Sequence, residues 1–168
     1  MSRPRTRVGR RQTGERLGGF IYGTIVVLAV IVAGARAWEH EAGHIAGLVA
    51  VTVLVFWLAH VYANALAHSV AHDEHLSLAE LRRIAHREAS ILEAAVPPLV
   101  ALLLGAFGIV STKLSVWVAF GLGLVVLCAQ GITFARVEGM GRLGTLAVVA
   151  ANLGLGVALV GLKLLVSH

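Results

Sequence analysis

The sequence holds a single cysteine, Cys128, so no intrachain disulfide can form and a disulfide scaffold is excluded. Charge is scarce as well. Only 14% of the 168 residues are Asp, Glu, Lys or Arg, against roughly 25% in a soluble domain. Asp73 is the one aspartate. Hydrophobic residues make up 58% and the mean hydropathy is +0.84, so there is too little charge to clothe a water-soluble surface around this much hydrocarbon. These shortages exclude a soluble enzyme and a disordered tail. There is also no phosphate-binding loop, dinucleotide fingerprint or Ser-His-Asp nucleophile setting.

What is present is long apolar runs. Five are long enough to be read as spans of a bilayer core, which takes about 20 helical residues: approximately 18–35, 45–66, 91–110, 116–135 and 143–166. The first run is longer than the 7–15 residues usual for the apolar region of a signal peptide and is expected to be a retained helix. The fold class expected is therefore all-α: a polytopic membrane helical bundle of about five transmembrane helices plus one cytoplasmic amphipathic helix. Residues 1–17 form a basic tail and residues 18–168 a single transmembrane domain. Cys128 lies in one of the apolar runs, where packing is its expected role.

The net charge of +5 does not point to nucleic acid, because its distribution is lopsided. Arg3, Arg5, Arg7, Arg10, Arg11 and Arg16 against Glu15 already give +5 (6 − 1), so the remainder of the chain sums to zero. With the N terminus inside, these arginines, Arg82, Arg83, Arg87, Arg136 and Arg142 all fall on the cytoplasmic side. Only Arg36, Lys113 and Lys163 fall on the outer side. That is a positive-inside pattern with an odd number of spans, and it sends the C terminus outside. Arg10, Arg11, Arg16, Arg82, Arg83 and Arg87 are the residues expected to meet lipid headgroups, making membrane lipids the first expected partners. Glycines through the last three runs are the composition of closely packed helices, so a homo-oligomer or a partner membrane protein is also expected.

The connection from 68 to 90 contains Ser77-Leu78-Ala79-Glu80, which has the form of a capping box. Leu78, Leu81, Ile84, Ala85, Leu92 and Ala95 follow at helical spacing. The spacing predicts an amphipathic helix over 77–95, lying on the inner leaflet and running into the third span. A kink is expected at Pro97 and Pro98.

Polar groups inside a membrane are costly and need a partner or a purpose. Seven of the eight histidines fall between positions 40 and 86. At 100° per residue, His60, Asn64, His68, His72 and His75 fall on one face of the second helix. Imidazoles one turn apart can relay protons or bind a transition metal, so a proton or metal-cation path is the leading expectation. Glu88 and Glu93 are expected to pair with Arg82, Arg87 or Arg136, or to join the stripe as proton acceptors. Haem held by His60 or His68 would need two chains, since no other span carries a histidine. The alternative expectation is a non-catalytic accessory or lipid-organising subunit.

His40-Glu41-Ala42-Gly43-His44 is a second constellation and matches HExxH. On a helix the two histidines can share zinc while Glu41 acts as general base. By these residues the segment resembles the zincin metalloproteases and the membrane-embedded site-2 proteases. The resemblance implies a zinc-dependent membrane metallohydrolase with His40 and His44 as ligands and Glu41 as the catalytic base. It covers about ten residues and departs from both families at the third ligand. Ala50 stands where one zincin branch has histidine, and Asp73 is not in the Leu-Asp-Gly setting of the site-2 proteases. An enzyme is therefore the less favoured expectation, with zinc as its cofactor.

Overall fold

The computed structural model describes the backbone of residues 4–38, 41–72 and 77–166, with side chains over 14, 16–38, 41–70 and 77–158. Its described residues are all-helical, without strands. Six helices follow in order: α1 (Pro4–Ala37), α2 (Ala42–His72), α3 (Leu78–Glu88), α4 (Ser90–Ala106), α5 (Thr112–Val137) and α6 (Arg142–Val166). Three of them, α1, α2 and α5, contain stretches long and apolar enough to cross a membrane, and the bent pair α3–α4 makes a fourth if taken as one span.

The chain alternates between two ends of the bundle. Arg16, α3 and the turn at 138–141 share one end, called here the basic end. The turns at Trp38 and at 107–111 share the other, where Gly105 and Gly43 of successive hairpins approach Ala42 and Ala106. The core between them is Val27, Leu28 and Ile31 of α1, Ile45, Val49 and Val53 of α2, Ala101 and Leu102 of α4, and Phe120 and Leu127 of α5. Side chains as apolar as these also face outward. Leu54, Val55 and Leu58 of α2, Val96 and Val100 of α4, Val125 of α5 and Leu155 of α6 are all exposed. Hydrocarbon on both sides of the helices departs from the single apolar stripe of a helix in a soluble bundle.

Helix approach depends on glycine at a few positions. A Cβ at Gly23 would stand 3.0 Å from the Ile91 carbonyl oxygen, and one at Gly123 would stand 2.6 Å from Leu28. Asn152 of α6 is buried and donates to the Leu127 carbonyl of α5 at 3.3 Å, the interhelical bond expected of a lone amide in an apolar helix. Thr24 and Thr133 instead bond carbonyls of their own helices, at Phe20 and Ala129. Among the described residues no buried side-chain nitrogen or oxygen lacks a partner.

Several expected boundaries move. α1 runs from Pro4, so most of the arginine-rich segment is helical and continuous with the apolar part of α1; proline is well suited to a first helical turn because its missing N–H would be unpaired there. α2 continues past residue 66 to His72. α4 ends at Ala106, before the expected 110, because Gly108 takes φ +71° and Ser111 caps α5, its hydroxyl accepting from the Leu114 N–H.

The predicted helix over 77–95 is two helices meeting at 42°, with the break at Ala89. α4 runs on through Pro97 and Pro98, so the bend at Ala89 comes eight residues before the first proline. Its cause is a tightened turn, in which the Ala89 N–H reaches His86, three residues back, at 3.4 Å. On one side of that turn α3 is tied to α2; on the other, Ser90 and Ile91 pack against Gly19 and Gly23 of α1.

The capping box forms as the sequence indicates. The Ser77 hydroxyl accepts from the Glu80 N–H at 3.2 Å, and Glu80 accepts from the Ser77 N–H at 3.0 Å. The Ser77 hydroxyl and N–H hold the Glu80 carboxyl below the usual carboxylate range, and His68 adds to the effect. A depressed folded-state pKa stabilises the cap above the ordinary Glu value and loses that stabilisation as pH falls through the folded value. Acidification is therefore expected to loosen the first turn of α3, read as faster amide deuterium exchange after correction for its intrinsic pH dependence. Glu80→Gln should remove this acid step.

Candidate functional site

The polar groups concentrate in a cleft of about 430 Å³ at the basic end, lined by Gly18, Gly19 and Tyr22 of α1, His60 and Asn64 of α2, and Arg87 and Glu88 of α3. Gly18 faces open space, with nothing within 4 Å of a Cβ built there, whereas Gly19 lies against α4, where its Cβ would stand 2.7 Å from the Ser90 Oγ. His60 and Asn64 are one turn apart and so project from one face of α2.

His60 Nδ1 is 2.9 Å from the Phe56 carbonyl oxygen. A carbonyl only accepts, so the ring proton belongs on Nδ1, and Nε2 of the neutral ring keeps its lone pair. The Tyr22 ring lies 5.3 Å from the imidazole, tilted by 47°. Asn64 Nδ2 donates to the His60 carbonyl at 3.1 Å and to Glu88 Oε1 at 3.2 Å, linking α2 to α3. Glu88 also has the Arg87 Nε at 3.6 Å, and its side chain is 15% exposed. The carboxylate therefore sits largely out of water between an amide and a guanidinium.

The stripe read from the sequence does turn one face toward α3, but its members divide. His60 and Asn64 line the cleft. His68 approaches Glu80 Oε1 at 3.7 Å and belongs to the α2–α3 contact nearer the end. His72 is the last residue of α2, its side chain outside the described residues, and His75 lies outside them altogether. Trp57 adds a further tie, donating to the Ala85 carbonyl at 3.2 Å. Toward the other end, the stripe gives way on the same face of α2 to buried Val53, Val49 and Ile45.

Of the two acids expected near the third span, Glu88 does pair with Arg87. Glu93 instead pairs with Arg16 of α1 at 3.3 Å, because α1 and α4 run side by side at this end. Tyr22, Gly18 and Gly19 were not among the expected site residues. The adjacent glycines followed by an aromatic were visible in the sequence, but their relation to His60 depends on how α1 and α2 cross. Arg82, Arg83 and Arg16 are exposed; Arg10 and Arg11 lie in α1 with side chains outside the described residues.

The HEAGH segment lies at the opposite end. α2 begins at Ala42, which leaves Glu41 in the turn and His44 in the first helical turn; His40 lies outside the described residues. The Glu41 carboxylate contacts His44 Nδ1, and the Trp38 ring stacks on His44 at 5.9 Å. Among the described residues no three His, Cys, Asp or Glu side chains converge as a metal site would require. Among the described residues the donors at this end are one histidine, His44, and a carboxylate already turned onto it, Glu41, while His40 lies outside them.

Among the described residues, fold and cleft together define the class: an all-helical bundle with many exposed apolar side chains and a polar recess at its basic end. Compared with protein-family models, with curated proteins and with solved structures, the chain finds no match.

Proposed function

We propose that this chain is an integral membrane protein crossing the bilayer five times, through α1, α2, α4, α5 and α6, with its basic end cytoplasmic, and that its cleft exchanges a proton or a small metal cation with that side. The exposed apolar side chains on α2, α4, α5 and α6 support the membrane reading. So does depth. His60 is 18 residues beyond Ala42, about 27 Å along the helix, which matches a hydrocarbon core of about 30 Å. The cleft then sits at the inner boundary of the core, open to water on one side.

The observation that carries the reading is the His60 imidazole, fixed by Phe56 through Nδ1 and lining a cleft with Asn64 and Glu88. A proton taken up on Nε2 makes an imidazolium in the same cleft as the Glu88 carboxylate, whose opposite charge offsets part of its cost there. A small cation would meet the same lone pair and carboxylate. Below the cleft, Val53, Val49, Val27, Leu28 and Ile31 form an apolar plug, so exchange in this conformation is one-sided. Passage across the membrane requires α1 and α2 to part.

Proteoliposomes carrying an internal pH dye are expected to dissipate an imposed proton gradient, or to take up Zn²⁺ or Mn²⁺ in a parallel assay. His60→Ala should lower the rate at least tenfold, while His68→Ala, outside the cleft, should retain most of it. Wild-type vesicles that move neither protons nor metal, or a His60→Ala rate equal to wild type, would sink the reading.

A further inference from the structure

We infer that the exposed basic face of α3, with the Arg82 and Arg83 expected from the sequence to meet headgroups, is a binding surface for anionic phospholipid headgroups while its apolar side packs on α2 and does not lie on the leaflet. The inference rests on the membrane-spanning reading above. The apolar side of α3 is already occupied: Ile84 is buried and the Ala85 carbonyl accepts from Trp57 of α2. The acids are turned away too, since Glu80 closes the cap toward His68 and Glu88 points into the cleft. What remains outward, at spacings of three and four, is Leu78, Arg82, Arg83, His86 and Arg87. Arg82 and Arg83 make no ion pair among the described residues.

Height selects the partner. α3 leans 42° from the axis of α4, steeper than a helix lying flat on a surface. From Ser90, where the apolar helix begins, Arg83 lies seven residues back, about 8 Å along that axis at 1.5 Å per residue. The headgroup layer on each side of a bilayer is about 5–8 Å thick, and an arginine side chain can reach back toward it from just beyond. Exposed Arg136 and Arg142 at the same end, with Glu138 between them, and Arg16, which is paired with Glu93, leave that end net basic together with α3, whereas Arg36 and Lys113 are the only Lys or Arg among the described side chains at the other. A basic face at a net basic end, next to the edge of an apolar belt, meets lipid phosphates before it meets any soluble acidic partner.

The test uses the full chain with Trp38→Phe and Trp117→Phe, which leaves Trp57 as the reporter beneath α3. Reconstituted in vesicles, Trp57 fluorescence is quenched in turn by brominated phosphatidylglycerol and by brominated phosphatidylcholine. The ratio gives the relative association of the two lipids. It should exceed one, and Arg82→Gln with Arg83→Gln should reduce it by about fivefold for each arginine, the equivalent of about 1 kcal/mol per basic residue near an anionic surface. High salt should lower the wild-type ratio in the same direction. A wild-type ratio of one, or a ratio unchanged by the double substitution, overturns the inference and leaves the face to an acidic protein. Quenching by neither lipid would instead strike at the membrane reading beneath it.

Discussion

Gly105→Ala is expected to lower the melting temperature of the protein, although alanine is the better helix former. In an unhindered helix the exchange gains about 0.8–1 kcal/mol. Here a new Cβ would stand 2.6 Å from the Ser115 Cβ of α5 and 3.1 Å from the Ala42 Cβ of α2. Ser115 cannot swing aside freely, because it is buried and its hydroxyl donates to the Thr112 carbonyl at 2.8 Å. Three helices meet at this point, so relief requires moving a backbone. Overpacking of this kind costs about 1–3 kcal/mol, which exceeds the propensity gain over most of its range. Gly105→Leu adds three more heavy atoms and should prevent the native packing of α4 on α5. Gly47 provides the comparison, since nothing lies within 4 Å of a Cβ built there. Gly47→Ala should leave the melting temperature unchanged or raise it slightly. Thermal unfolding of the detergent-solubilised protein, followed by circular dichroism, reads all three. Equal effects at Gly105 and Gly47 would show that the close approach is not a constraint.

The contrast between these glycines shows which parts of the fold were legible in the sequence. Helix identity and approximate span followed from apolar run length, because a run of that length has few other uses. The start of α3 followed from Ser77 and Glu80, because a capping box acts over four residues and needs nothing from the rest of the chain. The face of α2 that carries His60 and Asn64 followed from helical geometry alone. What did not follow was anything set by two helices at once. Nothing local distinguishes Gly105, pressed between neighbours, from Gly47, open to the exterior. The break at Ala89 is a tightened turn between a helix tied to α2 and one packed on α1, and alanine gives no sign of it. Likewise the pairing of Glu93 with Arg16, 77 residues apart, requires knowing that α1 and α4 lie side by side. The cleft is of this second kind. Its histidine and amide were readable, but Tyr22 and the two glycines that line it come from another helix.

Asn64→Leu and Glu88→Leu are each expected to destabilise the docking of α3 on α2, while the double substitution should recover much of the loss. In the native cleft the Asn64 amide donates to Glu88 at 3.2 Å, and the carboxylate is only 15% exposed. Removing the amide takes a donor from a largely desolvated charge; removing the carboxylate leaves the amide and the Arg87 guanidinium facing an apolar side chain. Either deletion should cost about 1–3 kcal/mol, the usual penalty for a buried polar group without its partner. Two leucines at these positions face each other with neither the amide nor the carboxylate left without its partner, and the Arg87 guanidinium, 41% exposed, turns to water, so the cycle should close with a coupling of about 0.5–3 kcal/mol in favour of the pair. Amide exchange across α3 reads this local stability, and global unfolding reads the rest. Transport should behave differently. If His60 exchanges protons with the help of Glu88, the double substitution repairs the packing without restoring the charge that stabilises the imidazolium, and flux in proteoliposomes should stay as low as in Glu88→Leu. A double variant that is both stable and as fast as wild type would assign Asn64 and Glu88 to the clamp between α2 and α3 alone, leaving His60 as the only group in the cleft with a part in exchange.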